Sequence, residues 1–103
     1  MKVMIVTGAS SGIGRALALR AARAGYDVVA IARDRARLDA LAQRVADEGG
    51  RMTTATLDIG EPGAARAIVE LTHRSFGRID VLVNNAGQAA AGPLWAQSDE
   101  ALQ

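Results

Sequence analysis

The sequence contains no cysteine, so neither a disulfide framework nor a thiolate centre can be built from it. It has a single histidine, His73, and with no second His or Cys beside it a structural metal site of the usual kind is excluded. Aromatic residues make up only 3%, namely Tyr26, Phe76 and Trp95, so any core must be aliphatic and alanine-rich. No apolar run approaches the roughly 18 residues that a membrane helix needs. Twelve basic residues balance eleven acidic ones to a net charge of +1, and the arginines are dispersed. That leaves no electrostatic footprint for nucleic acid or an anionic membrane. A soluble protein of the cytoplasm is the expectation, and 103 residues make one domain or part of one.

What is present is a regular alternation. Lys2 to Thr7 reads as a strand, β-branched and almost continuously apolar, as in a parallel sheet covered on both faces. A helix follows, with Ile13, Ala16, Leu17, Ala21 and Ala24 read as its inner face and Gly25 as its stop. Val28 to Ala32 is a second strand. Asp34 is placed to cap a second helix whose inner face is Leu38, Leu41, Ala42 and Val45, ended by Gly49 and Gly50. Met52 to Leu57 alternates threonine with apolar residues and reads as a third strand.

Pro62 suits the first turn of a third helix, with Ile68, Leu71, Thr72 and Ser75 inward and Gly77 as its end. His73 falls in a polar turn of that helix and is expected to be solvated. Val81 to Val83 is the fourth strand, and Ser98 opens a further helix. Trp95 follows Gly92 and Pro93, where packing against the sheet is its expected role.

Strands alternating with helices imply βαβ crossovers and an α/β fold with a doubly wound parallel sheet. The expected strand order is 3-2-1-4, which puts a ligand crevice at the carboxyl ends beside the first strand. Three glycines, Gly8, Gly12 and Gly14, lie there between strand and helix. Glycine lets the backbone turn sharply and approach a ligand, while the helix N-terminus offers N–H groups to an anion. The spacing departs from both the G-x-G-x-x-G and the P-loop patterns. Its place between strand and helix still makes a dinucleotide pyrophosphate the expected ligand. Arg33, Asp58 and Asn84 fall at the same sheet edge.

Thr7 to Gly14 as TGASSGIG, Asp58 after the third strand, and Phe76 to Gly87 as FGRIDVLVNNAG resemble the short-chain dehydrogenase/reductase family. The similarity runs over essentially the whole chain. It implies that residues 1–103 are a partial Rossmann-type NAD(P)-binding domain, the N-terminal half of an oxidoreductase that moves hydride between a nicotinamide cofactor and a small carbonyl or alcohol substrate. By the same resemblance, Gly8, Ser10, Ser11, Gly12, Ile13 and Gly14 surround the pyrophosphate and adenosine ribose. Asp58 lies beside the adenine and Ile59 packs on the ring. Asn84, Asn85, Ala86 and Gly87 steady the sheet and line the cleft. For Asp58 a local turn or a helix cap is the competing role.

Arg33 and Asp34 bear on the choice of cofactor. An acid at the end of the second strand binds a ribose 2′-hydroxyl, whereas an arginine accommodates a 2′-phosphate. With Ala32 last in the strand, Arg33 falls on the NADP-associated position and Asp34 reads as a helix cap. Ser11, where many NADP-preferring members carry a basic residue, points the other way. NADP is the expected cofactor, with NAD as the alternative, and an exposed charge at a helix start is the competing role for Arg33.

The resemblance also implies a catalytic tyrosine with a lysine four residues later. Here the one tyrosine, Tyr26, is followed at that spacing by Ala30, and the one lysine is Lys2. The chain is therefore expected to be an N-terminal fragment, truncated after the fourth strand, with no catalytic residues and no activity alone. The open edge at Val81 to Asn84 is expected to make it marginally stable and prone to self-pairing. Homo-oligomers are expected only of a full-length protein. The alternative is a naturally short, non-catalytic dinucleotide-binding module or sensor.

Overall fold

In the computed structural model, which describes residues 1–85, every strand is followed in the chain by a helix until the last. The order is β1 (Val3–Thr7), α1 (Gly12–Arg23), β2 (Asp27–Ala32), α2 (Arg35–Asp47), β3 (Arg51–Thr56), α3 (Ala64–Phe76) and β4 (Val81–Asn84). The four strands form one parallel sheet in the order β3-β2-β1-β4, as expected from the alternation. Ala86, Gly87, Trp95 and the helix start at Ser98 lie outside the described residues.

Side chains of a strand alternate between the two faces of the sheet, and the two cores follow that alternation. Met4, Val6, Val28, Ala30 and Ala32 meet α1 and α2 on one face. Val3, Ile5, Val29 and Ile31 meet Ile68 of α3 on the other. Hence β1 and β2 are buried along their whole length. β3 carries threonines at the sheet edge and is only partly covered.

The second helix follows the expected face closely. Leu38, Leu41 and Val45 are buried and Ala42 is half-buried. Asp34 accepts a hydrogen bond from the Arg37 N–H through Oδ1 at 3.1 Å, satisfying one of the orphan donors of that helix start. Leu38 and Leu41 are fully buried, so truncating either to Ala costs about 2–5 kcal/mol.

The first helix corrects the sequence reading. Its buried residues are Gly14, Ala18, Leu19, Ala21 and Ala22, while Ile13 is 76% exposed and Ala16 and Ala24 are exposed. The helix approaches the sheet through its smallest side chains, which allow close backbone packing. The larger Ile13 is left at the open end of the helix.

Pro62 also moves. It precedes the third helix and does not occupy its first turn. The Ala64 N–H bonds to the Glu61 carbonyl at 3.2 Å, and Gly63 has φ 84° and ψ −3°. Pro62 and Gly63 are thus the two central residues of a type II turn, which requires a positive φ at the second. The rest of that helix is as expected, with Ile68 and Thr72 buried, His73 exposed and Gly77 closing it.

Candidate functional site

The reversal of strand order between β1 and its neighbours places the candidate site at the carboxyl ends of β1, β2 and β4. Thr7 ends β1 opposite Asn84 of β4. It is 1% exposed, and its hydroxyl donates to Asn84 Oδ1 at 2.7 Å while accepting the Asn85 N–H at 3.0 Å. One hydroxyl therefore ties the exit of β1 to the exit of β4. This role of Thr7 was not read from the sequence; its one signal is a polar residue closing an apolar strand.

The loop leaving Thr7 is pinned on its other side by the Ala9 N–H, which donates to the Ile31 carbonyl of β2 at 3.0 Å. Its three glycines act for two different reasons. Gly8 and Gly12 have φ of 65° and 52°, a region that side chains disfavour. At Gly14 the demand is steric, because a Cβ there would stand 2.0 Å from the Gly8 carbonyl oxygen and 2.8 Å from Asn85 Nδ2. A Cβ on Gly12 would instead meet nothing within 4 Å. The loop is closed against the protein at Gly14 and open to the outside at Gly12.

α1 begins after Ser11, whose side chain makes no capping hydrogen bond, and no acid lies in the first turn. Among the described residues, the Gly12, Ile13 and Gly14 N–H groups have no hydrogen-bond partner. Arg20 and Arg23 sit in the last turn, where they complement the other end of the dipole. The result is an uncompensated positive helix end beside two serine hydroxyls, Ser10 and Ser11, that make no bond among the described residues.

Arg33 follows the last residue of β2, is exposed, and has no ion pair among the described residues. Asp34 is committed to the α2 cap and lies 3.4 Å from Arg37 Nε through Oδ2. Asp58 Oδ1 accepts the Gly60 N–H at 2.9 Å in a local Asx turn, the competing role noted above. Its other oxygen has no partner among the described residues. Ile59 is half-buried and packs onto the α3-side core.

The donor set fits an anionic dinucleotide. A glycine-turned, acid-free helix start faces outward, a guanidinium with no ion pair among the described residues stands at the end of the next strand, and an exposed carboxylate follows the third. Among the described residues no group of three His, Cys, Asp or Glu is placed to hold a metal ion, and no helix is long and apolar enough to cross a membrane.

At the opposite edge of the sheet, Asp80 Oδ2 accepts the Val3 N–H at 2.8 Å, and its two oxygens take two bonds from Arg78 at 2.7 and 2.9 Å. The Arg78 hydrogen bond, followed by that of Val3, holds the Asp80 carboxyl below the usual carboxylate range. This clamp registers the start of β1 against β4, as Thr7 registers its end.

Comparison with known proteins agrees with this geometry. The short chain dehydrogenase profile matches residues 2–103. A short chain dehydrogenase of Pseudocercospora fijiensis is 46% identical over 93 residues, covering 90% of this chain and 30% of that protein. L-Sorbose reductase from Gluconobacter frateurii, solved with NADPH and L-sorbose, superposes with a TM-score of 0.80 at 38% identity, over 97% of this chain and 38% of its own. Carveol dehydrogenase from Mycobacterium avium, solved with NAD, gives 0.77 at 32% identity, over 84% and 35%. The chain spans about a third of the length of the curated relatives it matches.

Proposed function

The chain belongs to the short-chain dehydrogenase family, and from that premise we propose that it is the NADP-binding portion of an oxidoreductase acting between a carbonyl and an alcohol. The observation that carries this reading is the open, acid-free start of α1, whose preceding loop is pinned to β2 by the Ala9 to Ile31 hydrogen bond. In the proposal the first-turn N–H groups and the Ser10 and Ser11 hydroxyls receive the pyrophosphate. Ile13, Ile59 and Asp58 Oδ2 border the adenosine. Asn84, Asn85, Ala86 and Gly87 form the wall of the cleft. Arg33 pairs with the 2′-phosphate of NADP, since Asp34 is already engaged by α2. NAD is the alternative.

The bound cofactor would supply or accept the hydride. In the proposal the chain's own residues bind and orient it, and none of the described residues is placed to protonate a substrate. Tyr26 packs against the α1 and α2 core and is followed by Ala30, and Lys2 lies before β1 at the far edge. We therefore propose that these 103 residues bind the nucleotide without turning it over. A non-catalytic binding module or sensor is the second reading. Calorimetric titration with NADPH, alongside an assay of NADPH oxidation with simple ketones, tests both parts. Saturable binding without turnover is expected. Turnover lost on mutating residues present here, or no binding to a well-folded chain, overturns the proposal.

A further inference from the structure

The β2–α2 junction carries four charged side chains within five residues, Arg33, Asp34, Arg35 and Arg37, and their pairing is uneven. Arg37 Nε stands 3.4 Å from Asp34 Oδ2, Asp34 Oδ1 caps the helix, and Arg33 has no ion pair among the described residues. Arg35 leans away toward Asp39 at 3.8 Å. A dinucleotide bearing a 2′-phosphate brings close to two negative charges to this junction, and one bearing a 2′-hydroxyl brings none. An unneutralised Asp34 would repel the first and not the second.

We propose that Arg37 is a positioning residue for cofactor choice: by neutralising Asp34 it leaves Arg33 as the net charge of the junction. This rests on the cofactor reading above. The Asp34 and Arg37 side chains are 48% and 65% exposed, so the pair does little for stability. Its effect on an adjacent dianion lies within a Debye length and is felt at low ionic strength. Removing the positive member leaves a net acid beside Arg33; removing the negative member leaves a second cation; removing both restores the original balance.

The test is a four-variant cycle on the purified protein: wild type, Arg37→Gln, Asp34→Asn and the double variant. Dissociation constants for NADPH and NADH are measured by calorimetry at low and high salt. Asn is as good an N-cap as Asp, so α2 is preserved, and circular dichroism verifies it. Arg37→Gln is expected to weaken NADPH roughly threefold and to leave NADH unchanged. Asp34→Asn should tighten NADPH by a similar factor, the double variant should return to the wild-type ratio, and high salt should erase all three differences. A ratio of NADPH to NADH affinity that is the same in all four proteins overturns the inference, as does an equal loss for both nucleotides in Arg37→Gln. A wild type that prefers NADH contradicts the NADP reading separately, because the movement of the ratio across the cycle still decides the role of the pair.

Discussion

Thr7 and Asn84 face each other at the ends of β1 and β4, 77 residues apart in sequence, joined by a 2.7 Å hydrogen bond from the Thr7 hydroxyl to Asn84 Oδ1. Thr7→Val keeps the shape of the side chain but removes that donor and the acceptor of the Asn85 N–H. The expected loss is about 1–3 kcal/mol, read as a lower urea midpoint. Thr7→Ser should recover most of it. Equal stability of the Val variant and wild type would show that the bond does not hold the two strands.

The loop glycines should separate stability from ligand binding. Gly14→Ala drives a methyl into the Gly8 carbonyl and should cost about 1–3 kcal/mol, with weaker nucleotide binding as a consequence. Gly12→Ala meets open space, so its stability loss is confined to the positive-φ penalty of about 1–2 kcal/mol. Its methyl stands on the open side of the loop, and binding of NADPH should fall by more than the stability change explains. Melting curves with and without nucleotide distinguish the two.

Acid should weaken the fold through two identified carboxylates. Asp80 is held below the usual range by Arg78 and Val3, and Glu48 is lowered to about 2 by its hydrogen bond from Arg23 at 2.7 Å. Both carboxyls have folded pKa values below their unfolded ones. Their contributions are thus complete above about pH 4.5 and are lost as pH falls toward 2. Asp80→Asn and Glu48→Gln should each flatten the acid limb of the urea midpoint. Because Glu48 is an exposed partner, its share should shrink in high salt.

Asp27 is buried at the start of β2, and its Oδ1 has no hydrogen bond among the described residues; Arg51 Nε lies 3.5 Å away, with the guanidinium 5.3 Å from the centre of the Phe76 ring. Arg51→Ala strips the counter-charge and the ring contact together and should cost about 1–2 kcal/mol, reduced from the fully buried case because Arg51 is itself exposed. Arg51→Ala in an Asp27→Asn background should cost less. A double-mutant cycle of thermal melts reads the difference.

The fold was legible where side-chain contrast is high. Leu38, Leu41 and Val45 leave a single phase for α2, and the unbroken apolar runs of β1 and β2 leave no choice but burial on both faces. The first helix was not legible in the same way. Alanines and a glycine carry little hydrophobic contrast, so the larger Ile13 and Leu17 drew the expected face around the helix. The true face was selected by how closely Gly14, Ala18 and Ala22 let the backbone approach the sheet. The fixed φ of Pro62 suits both a first helical turn and the second residue of a type II turn, and Gly63 decides for the latter.

At the sheet edge, the strand-to-helix context of the glycines is readable, as are the position of Arg33 directly after β2 and the capping role of Asp34. The Thr7–Asn84 and Val3–Asp80 contacts are not, since each joins residues more than seventy positions apart and leaves no local pattern. The structure also divides the glycines in a way that spacing alone does not, with Gly14 serving the packing of the loop and Gly12 its open face.

The most direct measurement is a calorimetric titration of the purified chain and of Arg33→Ala with NADPH and with NADH. Wild type is expected to bind NADPH about 10- to 100-fold more tightly than NADH, through one charge-assisted contact to the 2′-phosphate. Arg33→Ala should bring the two affinities together while leaving NADH binding and helix content unchanged. Equal affinities in the wild type, or a preference for NADPH that survives removal of Arg33, would contradict the proposed role of Arg33.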